Sequence, residues 1–172
     1  MDVCHIVKDR REHIAAEWTN ALLRTYPEEG AKFFGSVMNQ FTNPAGYVFR
    51  SNIKNLLDKL LDGVQEDQLS QDLDAVLRIR AVQGLTPSTA LCFIPALKEI
   101  LFREVCQVVA QDQADALLHD WYIRIDRLLL MGFDIYMGCR EVLWQQKANQ
   151  LYDRTHKLLE KANLIQKEDV TG

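Results

Sequence analysis

The sequence predicts an all-α protein, and three observations carry that reading. Apolar residues recur at three- and four-residue spacing through almost the whole chain. No stretch of strand length alternates apolar with polar residues. The breaks that punctuate the pattern are helix stops and starts: Tyr26-Pro27, Asn43-Pro44, Gly63, Gly84 and Thr86-Pro87. Together they describe a bundle of about six helices whose last member is long.

Residues 4–25 read as an amphipathic helix, with Val7, Ile14, Trp18 and Leu22 on its apolar stripe and Lys8, Asp9, Arg10 and Glu12 in water. Tyr26-Pro27-Glu28-Glu29 ends it and starts the next. A residue before proline avoids helical angles, and proline followed by two acids suits a first turn. The helix over 28–40 has Phe33, Phe34, Val37 and Phe41 as its apolar set. Asn43 caps a helix over 44–62, with Phe49, Ile53, Leu56, Leu57, Leu60 and Leu61 inward and Gly63 as its stop. The helix over 66–83 turns Leu69, Leu73, Val76, Leu77 and Val82 inward, and Arg80 and Gln83 are its interior polar candidates.

Gly84 is suited to the left-handed residue that closes a helix. Thr86 then caps a helix over 87–109, with Pro87 at the first position, where no donor is missed. Ala90, Ile94, Leu97, Leu101, Val105 and Val108 share one face, which makes this the central helix of the bundle. Pro95 removes one backbone bond and should bend it.

From 113 to about 165 the chain has no proline and only Gly132 and Gly138. Ile125, Leu129, Gly132, Tyr136, Cys139 and Leu143 step by four and three. From Trp144 the set Ala148, Leu151, Thr155, Leu158, Ala162 and Ile165 does the same, one residue out of phase. This predicts a helix that begins in the core and projects as a coiled-coil arm, with the change of phase marking where domain packing gives way to partner packing. The expected layout is a body over 1–140, an arm over 141–165 and a flexible tail over 166–172. Asp120–Arg124 and Asp153–Lys157 are supporting pairs at i, i+4. Candidate dimer contacts are Tyr136, Leu143, Trp144, Leu151 and Leu158.

The 172 residues, 48% hydrophobic and 26% charged, suffice for one domain with a real core. A net charge of −4 offers nothing to nucleic acid or an anionic membrane surface. Apolar runs such as 128–133 are too short to span a bilayer, so no membrane insertion is expected. Met1-Asp2-Val3-Cys4-His5 leads to charges rather than to a signal-peptide core, which makes the cytoplasm the expected location. Cys4, Cys92, Cys106 and Cys139 form no CxxC pair. Cys92 and Cys106 would stand about 21 Å apart on one straight helix, so reduced thiols are expected.

Glycine-rich phosphate loops, HExxH and GxSxG are absent, and no catalytic residue is assigned. His5, His13, His119 and His156 give no helical ligand pair, and Cys4 and His5 point to different sides of their helix. A haem would need an axial ligand from about 66–83, yet no histidine lies between His13 and His119. The sequence therefore calls for no cofactor and no metal. Arg78 and Arg80 sit where cations favour a helix C-terminus. Trp18, Trp121 and Trp144 suit a core or an interface, Trp144 better the interface.

Several words stand out together: Trp18…Leu22-Leu23-Arg24-Thr25-Tyr26-Pro27, Phe41-Thr42-Asn43-Pro44-Ala45-Gly46, and Ile79-Arg80-Ala81-Val82-Gln83…Pro87-Ser88-Thr89-Ala90. In these the chain, over roughly 10–140, resembles the RsbRD N-terminal domain family. That family is similar to the non-haem globin sensor domains of bacterial stressosome RsbR proteins. The resemblance implies a globin-like sensor domain over 1–140, homodimerisation, a sensory or regulatory role, and a helix beyond 140 that corresponds to a linker. No STAS domain follows in this sequence, so neither a phosphorylatable output nor direct antagonism of an RsbT-like kinase is expected. The stand-alone form is similar to small proteins of anaerobic sulfate-reducing bacteria encoded near sulfite-reduction electron-transfer genes. By analogy this implies an accessory or regulator docking on an unidentified protein partner. The other reading is a small apolar ligand held between helices 44–62, 66–83 and 87–109, with Phe49, Val82, Phe93 and Leu97 as lining. A haem or redox protein is a third, disfavoured by the missing histidine.

Overall fold

Pro27, Pro44 and Pro87 each stand at the start of a helix, Pro27 as the cap and the other two in the first turn. A computed structural model describes residues 3–36 and 41–169, Glu66 and the last six by backbone alone. The helices are α1 (Val3–Asp9), α2 (Arg11–Leu23), α3 (Glu28–Gly35), α4 (Pro44–Asp62), α5 (Glu66–Val82), α6 (Pro87–Leu91), α7 (Phe93–Val105) and α8 (Gln111–Asp169). No strand occurs among the described residues, and the fold is all-α.

Three of the expected boundaries move. The helix over 4–25 divides at Arg10, where the guanidinium reaches across to Glu104 at 2.6 Å and also to Gln107. Glu104 is a nearly buried carboxylate, and His13 Nε2 lies 3.4 Å from its other oxygen. The helix over 28–40 is described only to Gly35, and Val37 lies outside the described residues. Of the described members of its apolar set, Phe33 and Phe41 are exposed, and Phe34 packs inward, against Tyr26 and Phe49. The helix over 87–109 divides at Cys92 and ends at Val105. Pro95 has no N–H to give the Leu91 carbonyl, so the ladder is interrupted there. The early end leaves Val108 exposed instead of on the buried face.

The expected stops and caps are found. Gly63 and Gly84 take positive φ values of 64° and 73°. Asn43 and Thr86 accept from the backbone N–H three residues on. The Asp120–Arg124 pair is replaced: Arg124 donates to the Leu60 carbonyl at 3.2 Å.

Trp18, Phe49, Phe93 and Leu97 are fully buried near the middle of the core, where Trp18 Nε1 donates to the Phe93 carbonyl at 2.8 Å. Each large apolar side chain so buried contributes about 1.5–3 kcal/mol. The first half of α8 runs through this core against α5, α6 and α7. Ala114, Leu118, Trp121, Ile125, Leu128 and Tyr136 form its inner face. Gly132 lets it come close: a Cβ there would meet Ile94 Cδ1 at 3.0 Å and Leu91 Cδ2 at 3.1 Å. From Trp144 to Asn163 every side chain is exposed.

Candidate functional site

Arg80 is fully buried, and its hydrogen-bond partners are all uncharged. Its Nε donates to the Ala90 carbonyl at 2.9 Å. Its Nη2 donates to the Thr89 carbonyl at 2.7 Å and to Thr25 Oγ1 at 2.8 Å. The guanidinium lies against the rings of Tyr26 (5.1 Å) and Phe93 (5.8 Å). One cation thus ties α5 to α6 and to the turn after α2. Burial pulls its pKa below the usual arginine range and pushes the Tyr26 phenol upward. Tyr26 in turn donates to Gln83 Oε1 at 2.6 Å. Gln83 is exposed on the outside of this corner, not interior as its helical position suggests, because α5 has ended one residue earlier.

Asn43 makes a second lock. Its amide donates to the carbonyls of Phe33 (2.8 Å), Phe34 (3.1 Å) and Ser36 (3.3 Å), while its Oδ1 accepts from Gly46 N at 2.9 Å. The end of α3 and the start of α4 therefore share one side chain. Arg50 adds a bond to the Phe34 carbonyl at 2.9 Å. Gly46 is required by proximity, since a Cβ there would stand 2.2 Å from the Phe34 oxygen.

The third feature is the outer surface of α8. Leu130, Met137, Trp144, Leu151 and Leu158 recur every seven residues and are all exposed, Trp144 to 61%. Spacing of seven keeps them on one side of the helix, and Ala148, Thr155 and Ala162 fill the intervening positions along the arm. This line is about a third of a turn away from the inner face that carries Gly132 and Tyr136. The single-residue change of phase after Leu143 is the step from one line to the other.

The family described as RsbT co-antagonist protein rsbRD N-terminal domain matches residues 12–151. The chain belongs to that family. Its members are sensory and regulatory domains related to the stressosome. No curated protein and no solved structure matches the chain. The family words now have physical content. In this rsbRD N-terminal domain the Asn43-Pro44-x-Gly46 word is the α3–α4 lock. The Ile79–Ala90 words supply the Arg80 brace and the carbonyls it holds.

The candidate residues of the rsbRD N-terminal domain separate into groups. Phe49, Phe93 and Leu97 are fully buried among core side chains, whereas Val82 is 67% exposed and does not join them. Val82 faces outward because α5 ends there and its last turn passes the edge of α8. It lines a groove of about 400 Å³ with Ile135, Gly138, Cys139, Val142 and Leu143, bordered also by Gln146 and the Asp74–Arg78 ion pair at 2.9 Å. Burial, with Asp74 alongside, pushes the Cys139 thiol up.

Of the proposed dimer contacts, Trp144, Leu151 and Leu158 are exposed on the seven-residue line, and Leu143 is half-buried beside the groove. Tyr136 is fully buried and donates to the Leu85 carbonyl of its own chain, which removes it from any intermolecular surface. The four-and-three step that singled it out belongs to the inner face. Leu130 and Met137 were missed for the converse reason: their seven-residue interval was hidden beneath the stronger core pattern. Among the described residues no cluster of histidine, cysteine or carboxylate side chains could hold a metal ion, and no helix is long and apolar enough to cross a membrane.

Proposed function

We propose that this rsbRD N-terminal domain is a dimeric, non-catalytic regulatory module, in which α8 carries the state of the helical body outward to a partner protein. The supporting observation is that one uninterrupted helix is core on its inner face and presents an apolar heptad line on its outer face. Residues 1–140 act as the sensor body and 141–165 as the arm. A shift in the packing of α5 or α6 against α8 would turn or translate the arm as a rigid rod. The resemblance to stand-alone relatives supports a cytoplasmic, bacterial setting beside anaerobic sulfur electron transfer. Light scattering after size-exclusion chromatography, on the full chain and on residues 1–142, tests the core of the proposal. The full chain is expected as a dimer and the truncated one as a monomer. Two equally monomeric samples at micromolar concentration would refute it.

A second reading has its own observation. The groove beside Val82 is walled by apolar side chains and lies where α8 leaves the body, so a small apolar ligand bound there would sit against the arm's root. Native mass spectrometry of the purified protein is expected to show a retained ligand that is lost in Val142→Arg. A ligand-free wild-type spectrum removes this reading.

A further inference from the structure

The arm's charges are not distributed evenly around its apolar line. Residues 1–140 carry 15 basic and 19 acidic side chains, whereas residues 141–163 carry four basic and three acidic ones. Three of those four, Lys147, Arg154 and Lys161, recur every seven residues along one edge of the seam, while Arg140, one heptad earlier, is turned to the body and donates to the Ala81 carbonyl at 3.2 Å. Lys147 Nζ lies 5.5 Å from the Trp144 ring centroid, which places that edge against the apolar line. The opposite edge holds Gln145, Tyr152 and Leu159, without charge, and Tyr152 and Leu159 are both exposed.

From this asymmetry we infer that two copies of the chain pair through their arms in parallel and in register, beginning at Trp144. The inference rests on the dimeric reading above and adds its geometry. Trp144, Leu151 and Leu158 would each meet their own counterpart, with Ala148, Thr155 and Ala162 in the layers between. In parallel pairing each residue of the basic edge faces the residue five positions on in the other copy. Lys147 then lies over the partner's Tyr152, a cation on an aromatic face, and the Arg154 stem covers the partner's Leu159. Each basic edge therefore meets an uncharged one.

The alternatives oppose like charges or bury them. Antiparallel arms with the same core residues would set Lys147 against the partner's Lys161 and Arg154 against the partner's Arg154. An antiparallel pair slid onto the partner's body would press Trp144 on the partner's Arg127 and Leu151 on the partner's Asp120. In-register pairing upstream of Trp144 would stack Glu141 on its counterpart, which is why the contact starts where it does. The parallel arrangement puts both bodies at one end and both arm tips at the other, with the basic edges facing outward on opposite sides.

The triple variant Lys147→Glu, Arg154→Glu, Lys161→Glu tests this when mixed with tagged wild-type chain and followed by native mass spectrometry. Parallel arms predict that the variant dimerises alone and exchanges freely, giving about 1:2:1 homodimer, heterodimer and homodimer. Oxidised Leu151→Cys is expected to yield the 151–151 cross-linked peptide. A heterodimer in large excess would establish antiparallel arms and overturn the inference. A monomeric variant beside a dimeric wild type would place the basic edge against acids and overturn it too. A monomeric wild type would instead remove the dimer itself.

Discussion

Arg80 on α5 donates through Nε to the Ala90 carbonyl on α6 at 2.9 Å, from a site with no access to water. A buried guanidinium with neutral partners has surrendered its hydration for hydrogen bonds and ring faces alone. Removing it leaves the Thr89 and Ala90 carbonyls without this donor and opens a large hole. Arg80→Ala is therefore expected to cost about 3 kcal/mol in urea unfolding. Arg80→Lys should cost nearly as much, because one ammonium cannot reach three acceptors that diverge between α6 and the turn after α2. An unchanged midpoint for Arg80→Ala would show that the brace is not a stabilising element.

Two glycines provide an internal comparison. Gly46→Ala forces a methyl against the Phe34 oxygen and the Asn43 amide that the α3–α4 lock depends on. A loss of about 2–4 kcal/mol is expected, the range for overpacking combined with loss of a cap. At Gly138, in the middle of α8, a Cβ meets nothing within 4 Å. Gly138→Ala should raise stability by about 0.5–1 kcal/mol through helix propensity. Thermal unfolding of both variants checks the pair, and equal effects at the two sites would contradict the geometry.

How far the sequence revealed this arrangement depended on whether a feature is local. Caps and stops at Asn43, Gly63, Gly84 and Thr86 were legible, because capping chemistry lies within four residues. The long α8 was legible from three- and four-residue spacing that no proline interrupts. Arg80 stood out as a polar residue at an inward position, but its reach to Thr25 joins residues 55 apart and follows only from packing. The division at Arg10 depends on Glu104, 94 residues away, and has no local signal. Tyr136 and Val82 were misplaced because apolar periodicity identifies a face without saying where an element ends or which of two neighbouring faces meets the core.

Burial raises the Tyr26 phenol's pKa, and the sign of its contribution follows from that. The folded chain holds this proton more tightly than the unfolded chain does. Its contribution is therefore complete below the ordinary tyrosine value of about 10 and is lost as pH rises through the folded pKa. Tyr26→Phe should leave the neutral-pH stability within about 1 kcal/mol, since the bond to Gln83 is lost while the ring beside Arg80 is kept. It should also flatten the fall in stability above pH 10. Urea midpoints between pH 8 and 11 test this, and parallel curves for the two proteins would exclude Tyr26 as the titrating group.

Leu151 separates the fold from the assembly. It is 67% exposed on the arm, well past the last buried position of α8 at Tyr136. Within one chain, Leu151→Glu should change the stability of the body by no more than about 0.5 kcal/mol, as for other surface changes. Between two chains it would place two carboxylates in the same core layer, a like-charge contact away from water. Circular dichroism melts at low micromolar concentration and light scattering on the same samples read the two effects independently. The expected result is an unchanged body and a dimer constant weakened at least tenfold. If the variant remains a dimer of wild-type affinity, the arms do not pair through this seam.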